Sequence, residues 1–209
     1  MKVKDFIKII WYKINFVFLC LTHKNTSICG HCCTHHVIIK DLGKNNSIKT
    51  GRHVILENCM FYFKGNNHKM IFADNIRISG VSFFFEKDNA TIVIGEGTWI
   101  GSGSHLKAEA GTTLKIGERT LLAPLCRIRT TDSHYIYKEG KEINKPQDIS
   151  IGNHCWLGEQ VFVLKGAEIQ DGCIVGARSI VTKNCSHKAN SIIVGVPAKM
   201  IEEGVTWEL

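Results

Sequence analysis

A six-residue beat of aliphatic side chains constrains this chain more than anything else in it. Ile151, Leu157, Val163, Ile169, Val175 and Val181 stand six apart without slippage. Glycine follows the aliphatic at Ile151, Leu157 and Val175. Four residues after each aliphatic comes a compact side chain: Cys155, Val161, Ala167, Cys173, Ser179 and Cys185. A helix repeats near about 3.6 residues and a flat strand near about 2, so neither produces this period. A chain that turns a corner every six residues does. Three flats then close one triangular coil, and stacked coils make a solenoid in which no coil buries its own face alone.

The beat continues upstream in triplets: Ile48, Val54 and Met60; Phe72, Ile78 and Phe84; Ile94, Ile100 and Leu106; Ile116, Leu122 and Ile128. Ile193 re-enters the register near the end. Every insertion between triplets falls at the same corner, and the longest runs to seventeen residues, between Ile128 and Ile151. The expected fold is all-β, a parallel β-helix of about six coils, on the order of 30 Å tall at the spacing of neighbouring strands. The expected divisions are an N-terminal helix and cap over 1–45, the β-helix over 46–195 with a loop extruded at 130–148, and a tail over 196–209.

No run of about 20 apolar residues is present, so no spanning helix is expected. Near-helical spacing of Phe6, Ile9, Ile10, Ile14, Val17 and Phe18 predicts a helix over residues 1–20. It either caps the open end of the solenoid or lies on a membrane surface with Lys2, Lys4, Lys8 and Lys13 at the headgroups. Nine cysteines would suggest disulfides in a secreted chain. Here Cys126, Cys155, Cys173 and Cys185 fill the small corner slot and read as buried hydrophobes, which suits a reducing cytoplasm. Cys29, His31, Cys32, Cys33, His35 and His36 are soft or borderline metal ligands, but no second ligand pair follows at a finger-like spacing. The segment reads as a reduced surface stretch, and no metal is expected. A net charge of +7 without a basic helix or zinc finger speaks against nucleic acid. It suits an acidic substrate and a phosphate-bearing co-substrate.

The loop at 130–148 is where chemistry is expected, because a long loop on a rigid scaffold usually carries function. It opens with Asp132, Ser133 and His134, and returns to the repeat at ISIGNHCWLG, ending on Gly158. Taken alone, His134 reads as an exposed loop histidine. Trp156 reads as a bulky residue on the outer flank of a coil that needs a partner.

The beat, the DSH loop, ISIGNHCWLG, VGARSIVTK and the late VGVPAKMI together resemble the hexapeptide-repeat acyltransferases over about Ile94 to Ala198. Within them the chain is most similar to capsule and sialic acid polysaccharide O-acetyltransferases. That resemblance implies a left-handed β-helix, acetyl-CoA as co-substrate, a carbohydrate acceptor (acidic in the sialic acid branch) and a homotrimer; the cysteine usage and the N-terminal helix point to the cytoplasm, at the inner face of the membrane where that helix lies on it. The resemblance implies His134 as general base and Trp156 as a residue lining the site. Trp156, Gly158, Ala177, Lys183, Pro197 and Lys199 would meet the co-substrate. Asp132, Ser133, Tyr135, Asn144 and Glu159 would meet the acceptor, with Asp132 or Glu159 orienting the imidazole. Glu159 departs from the pattern, which puts the acceptor pocket in doubt rather than the fold. The rival readings are an N-acetyltransferase of a nucleotide-linked amino sugar and a non-catalytic scaffold. A metal-dependent β-helix built on His105, His134 and His154 does not fit their spacing.

Overall fold

The computed structural model describes Lys13 and residues 26–208. The helix and membrane contact expected over residues 1–20 therefore lie outside the described residues, Lys13 apart. Within them the chain is a three-sided solenoid of about eight turns. Sheet A stacks seven strands, from Thr26–Cys29 at one end to Glu168–Ile169 at the other. Sheet B has nine, starting with Cys32–His35 and ending with Ser191–Gly195 and Ala198–Glu203. Sheet C has seven, from Ile38–Asp41 to Ile180–Val181. Within these three sheets pairing is parallel, except for the last strand of sheet B, which turns back antiparallel on Ser191–Gly195 and covers the C-terminal edge.

Each sheet contributes a continuous inward ladder, and in sheet A a second one, Ile48, Met70, Ile92, Leu114 and Ile149, lies two residues earlier on the same face. Sheet A runs through Thr50, Phe72, Ile94, Ile116, Ile151 and Ile169. Sheet B runs through Leu56, Ile78, Ile100, Leu122, Leu157, Val175 and Ile193. Sheet C runs through Ile39, Phe61, Phe83, Leu106, Ile128, Val163 and Val181. From Ile94 onward every residue of the six-residue beat lies on a ladder. Earlier the register differs: Ile48 and Val54 are buried and inward as expected, but Thr50 and Leu56, two residues on, stand on the ladders with Phe72 and Ile78, and Phe61 and Phe83 point inward where Met60 and Phe84 are expected. The reason is aromatic. In MFYFK and SFFFE apolar side chains occupy both parities, and the pairs Phe61–Phe83 and Phe63–Phe85 stack inside the prism at 5.0 and 4.8 Å.

The solenoid also starts earlier than the sequence suggests. Thr26–Asp41 forms a complete coil inside the segment assigned to the cap. Its inward positions carry Cys32, Thr34 and Ile39, so no aliphatic beat announces it. Strand alternation sends Cys32 inward and Cys33 and His35 outward, which splits the ligand-rich segment between two faces. Among the described residues no cluster of three or more potential ligands could hold a metal ion.

Corners repeat as faithfully as faces. Asn45, Asn67 and Asn89 adopt left-handed backbone angles, which asparagine tolerates. Their side chains bond in a column with a 22-residue step. Below the long loop the step shortens to 18, as between Asn153 and Asp171. Cys126, Cys155 and Cys173 occupy buried corners as expected, and burial pushes the thiols of Cys126 and Cys155 up to about 11 and about 12.

Candidate active site

The extruded loop leaves sheet C after Arg127–Arg129 and returns to sheet A at Ile149–Ile151. Its tip is a small antiparallel hairpin, Tyr137–Lys138 with Lys141–Glu142, turned by Glu139 and Gly140 at φ 51° and 75°, as a primed turn requires. Asn144 ties the hairpin to the DSH segment. Its amide nitrogen donates to Asp132 Oδ2 (2.9 Å) and to the backbone oxygen of His134 (2.8 Å). Its amide oxygen accepts from Ile136 N at 2.6 Å. Lys165, one coil further on, donates to Asp132 Oδ2 and to Asn144 O. Burial pulls the Asp132 carboxyl upward, but hydrogen bonds from Lys165 and Asn144 and the nearby cations outweigh it and hold the group below its ordinary value. Asp132 is thus a fixed carboxylate of the loop's base. The His134 imidazole is exposed and has no hydrogen-bond partner among the described residues.

The residues on either side of His134 are held from the opposite flank. Ser133 sits at φ 68°, and its hydroxyl accepts from Lys107 Nζ at 2.9 Å. Tyr135 lies under Lys87, whose Nζ is 4.4 Å from the ring centroid. Both lysines face Glu109, a carboxylate only 1% exposed. Neither Glu109 oxygen accepts a hydrogen bond of good geometry, so the pairing is electrostatic.

A cleft of about 460 Å³ opens beside the loop's base, lined by Asp132, Leu164, Lys165, Thr182, Lys183, Asn184, Pro197, Ala198 and Lys199. It brings together Lys183, Pro197 and Lys199, three of the residues expected at the co-substrate. With Asp132 neutralised by Lys165, its remaining charge is positive, and it fits an elongated group bearing phosphates.

Trp156 lies elsewhere. It points outward from the middle of sheet B, 41% exposed, in a column with Trp99, Leu121 and Ile174. Trp207 stands 6.1 Å from it and stacks on His154 at 4.5 Å. Sheet B is the side of the triangle opposite the corner that carries His134, and no contact joins the two residues within the chain. Gly158 and Ala177 sit on the corner after sheet B, where a Cβ on Gly158 would come within 2.6 Å of Ala177 N. Glu159 shares that corner and bonds Gln160. Within one chain neither expected orienting carboxylate touches the imidazole: Asp132 is engaged by Lys165 and Asn144, and Glu159 is on another corner. The Asn144 side chain is engaged within the loop.

A model described as bacterial transferase hexapeptide (six repeats) matches residues 148–183. The polysialic acid O-acetyltransferase of Neisseria meningitidis is 34% identical over 168 residues, which cover 79% of this chain and 77% of that one. The chain belongs to the hexapeptide-repeat acyltransferases. The galactoside O-acetyltransferase of Escherichia coli (strain K12) is 36% identical over 86 residues, 40% of each chain. Among solved structures, the polysialic acid O-acetyltransferase OatWY superposes with a TM-score of 0.67 at 27% identity, covering 87% of this chain and 92% of that one. The fold of this acyltransferase is accordingly the left-handed parallel β-helix.

Sequence reading of this acyltransferase located the loop and His134 but missed Lys165, Lys107, Lys87 and Glu109. Each acts on the loop across sequence separations such as 33 residues for Lys165 and Asp132, and 26 for Lys107 and Ser133. Nothing in the local sequence marks them. Only the register of the coils, once known, brings them together.

Proposed function

We propose that this acyltransferase is an acetyl-CoA-dependent O-acetyltransferase that modifies a hydroxyl of an acidic polysaccharide in the cytoplasm, and that it works as a homotrimer. The observation that carries this reading is an exposed, partner-free imidazole on a loop braced from both sides, two residues from Asp132, which lines a cationic cleft. The polysaccharide class is supported by the polysialic acid O-acetyltransferase of Neisseria meningitidis, which matches over most of both chains.

In this reading Lys183 and Lys199 hold the phosphates of acetyl-CoA, which supplies the activated acetyl group. His134 takes the proton from the acceptor hydroxyl as that oxygen bonds to the acetyl carbon. It then returns the proton to the sulfur as the carbon–sulfur bond breaks, so no proton is left over. The loop fixes the histidine through its backbone, which leaves both ring nitrogens free for this exchange. Trp156, on the far side of its own prism, serves the His134 of a neighbouring copy, and its indole N–H is available to the acceptor, the pantetheine arm or the developing oxyanion.

The test is transfer of labelled acetyl from acetyl-CoA to polysialic acid and to neutral glycans. His134→Ala should lower kcat by roughly 10²-fold or more with acetyl-CoA binding kept. Mixing His134→Ala with Trp156→Ala copies before assembly should restore a fraction of the activity, because some interfaces then hold one intact pair. Transfer only to small amino sugars would redirect the acceptor, and absence of acetyl-CoA binding would sink the reading.

A further inference from the structure

The catalytic loop divides the outer surface of sheet C into two parts. On its C-terminal side lies the lysine cleft. On its N-terminal side Lys40, Tyr62, Phe84, Lys107 and Arg129 face outward as partners in successive coils. His105 and Arg127 stand beside them as the next column. The side chains form a continuous layer. Lys40 Nζ is 5.3 Å from the Tyr62 ring. Tyr62 and Phe84 meet edge-on at 6.1 Å, and the Phe84 and His105 rings are parallel, 5.7 Å apart. Lys107 is spent on Glu86 and Ser133. Arg127 and Arg129 are half-buried, and among the described residues neither has an ion pair or hydrogen bond from its side chain. Burial and the two arginines hold His105 below its ordinary value. It therefore serves as a neutral ring rather than a third cation.

Two partly buried guanidiniums side by side cost the fold charge repulsion and desolvation. Asp132, whose carboxylate feels the charge of Arg129, is already bonded to Lys165 and Asn144, so an arriving anion offsets the cost further. The two arginines alternate along one strand, so they lie roughly 7 Å apart on one face, on the scale of a sugar unit. A planar fork suits a carboxylate, and Tyr62 and Phe84 offer ring faces to the apolar side of a sugar. From Lys40 to Arg129 the strip spans about 20 Å at the spacing of neighbouring strands, too long for a monosaccharide. Glu86 and Glu109 stand within it, which disfavours a nucleic-acid backbone charged at every unit.

We propose that this strip is the acceptor track: a polysaccharide bearing carboxylates lies along the outer face of sheet C, with Arg127 and Arg129 on its carboxylates and Phe84 and Tyr62 under its rings, and feeds one hydroxyl to His134. The proposal rests on the acetyltransferase reading above and names residues of the acceptor side of that site.

The experiment pairs equilibrium binding of fluorescent polysialic acid with steady-state kinetics, for the wild type and the Arg127→Ala/Arg129→Ala double variant. The expected result is a KM and Kd for the polymer raised roughly tenfold or more, as loss of two charge-assisted contacts should give, with the KM for acetyl-CoA unchanged and the thermal midpoint not lowered. Arg127→Lys and Arg129→Lys should fall between, since they keep charge but lose the fork, and they serve where the double variant does not fold. Unchanged polymer binding in a folded, active double variant overturns the track while leaving the acetyltransferase reading intact. Equal binding of a single-stranded oligonucleotide or of phosphatidylglycerol vesicles, lost in the same variant, also overturns it and marks a general polyanion patch. Absence of transfer by the wild type, with polymer binding still lost in the variant, counts against the activity but not against the track.

Discussion

Asn144 donates its side-chain N–H to the backbone oxygen of His134 at 2.8 Å, so the histidine is held by its main chain while its ring stays free. The same amide group reaches Asp132 and Ile136. Asn144→Ala removes all three bonds. Because a small misplacement of a catalytic group is costly, kcat should fall by about 10²-fold. The KM for acetyl-CoA should stay within about twofold, since Lys183 and Lys199 do not depend on Asn144. Steady-state kinetics with both substrates varied checks the split; a raised KM for acceptor with unchanged kcat would instead make Asn144 a binding residue.

Trp207 anchors the C-terminal tail. Its indole N–H donates to His154 O at 2.8 Å while its ring stacks on the His154 imidazole. Trp207→Ala should cost about 3 kcal/mol, the low end for a buried large aromatic. Denaturant unfolding measures it. Trp207→Phe keeps the stack but not the hydrogen bond and should lose less.

Gly158 makes room for the next coil. Gly158→Ala forces a Cβ against the backbone of Ala177 and should destabilise by about 1–3 kcal/mol. A lowered thermal midpoint with unchanged KM for acetyl-CoA would bear this out. A raised KM at unchanged stability would return Gly158 to the co-substrate site.

His68 links stability to pH. It is fully buried; its Nδ1 accepts from Ala90 N at 3.2 Å, and its Nε2 has no partner. Burial holds its pKa below the ordinary value, against hydrogen bonds that act the other way. As pH falls through the ordinary histidine range the unfolded chain takes up a proton that the folded chain refuses, so stability is present above about pH 6.5 and declines below it. His68→Asn keeps an acceptor for Ala90 and cannot titrate. The thermal midpoint of the wild type should drop more than that of the variant between pH 7.5 and pH 5.5, and parallel profiles would exclude His68 as the source.

The six-residue beat was legible wherever the inward residues are aliphatic and their neighbours polar. It slipped one residue at Phe84, where three phenylalanines in a row erase the contrast between faces. It was silent over Thr26–Asp41, where Cys32 and Thr34 stand inward. The loop at 130–148 was legible because it interrupts the beat, whereas His134 within it stood out only through the family resemblance. Glu109 was not, because a glutamate at a strand end looks like any solvated charge until coil stacking places two lysines over it. The separation of Trp156 from His134 was also invisible, since the two are close in sequence and only the triangle puts them on opposite sides.

The asparagine column at the corners has a further meaning. With Asn45, Asn67 and Asn89 spaced by 22 residues and bonded side chain to side chain, the N-terminal half is built of interchangeable modules. Removing one whole circuit from between Asn46 and Leu114 would shorten the prism by about 4.8 Å and leave each ladder, the loop and the cleft as they are. Removing one residue fewer would turn inward side chains out to water along the affected face. Such a prism gains or loses height only in whole coils, extra residues being extruded at a corner as the loop at 130–148 is, so the distance from its first described coil to His134 is counted in coils rather than in residues.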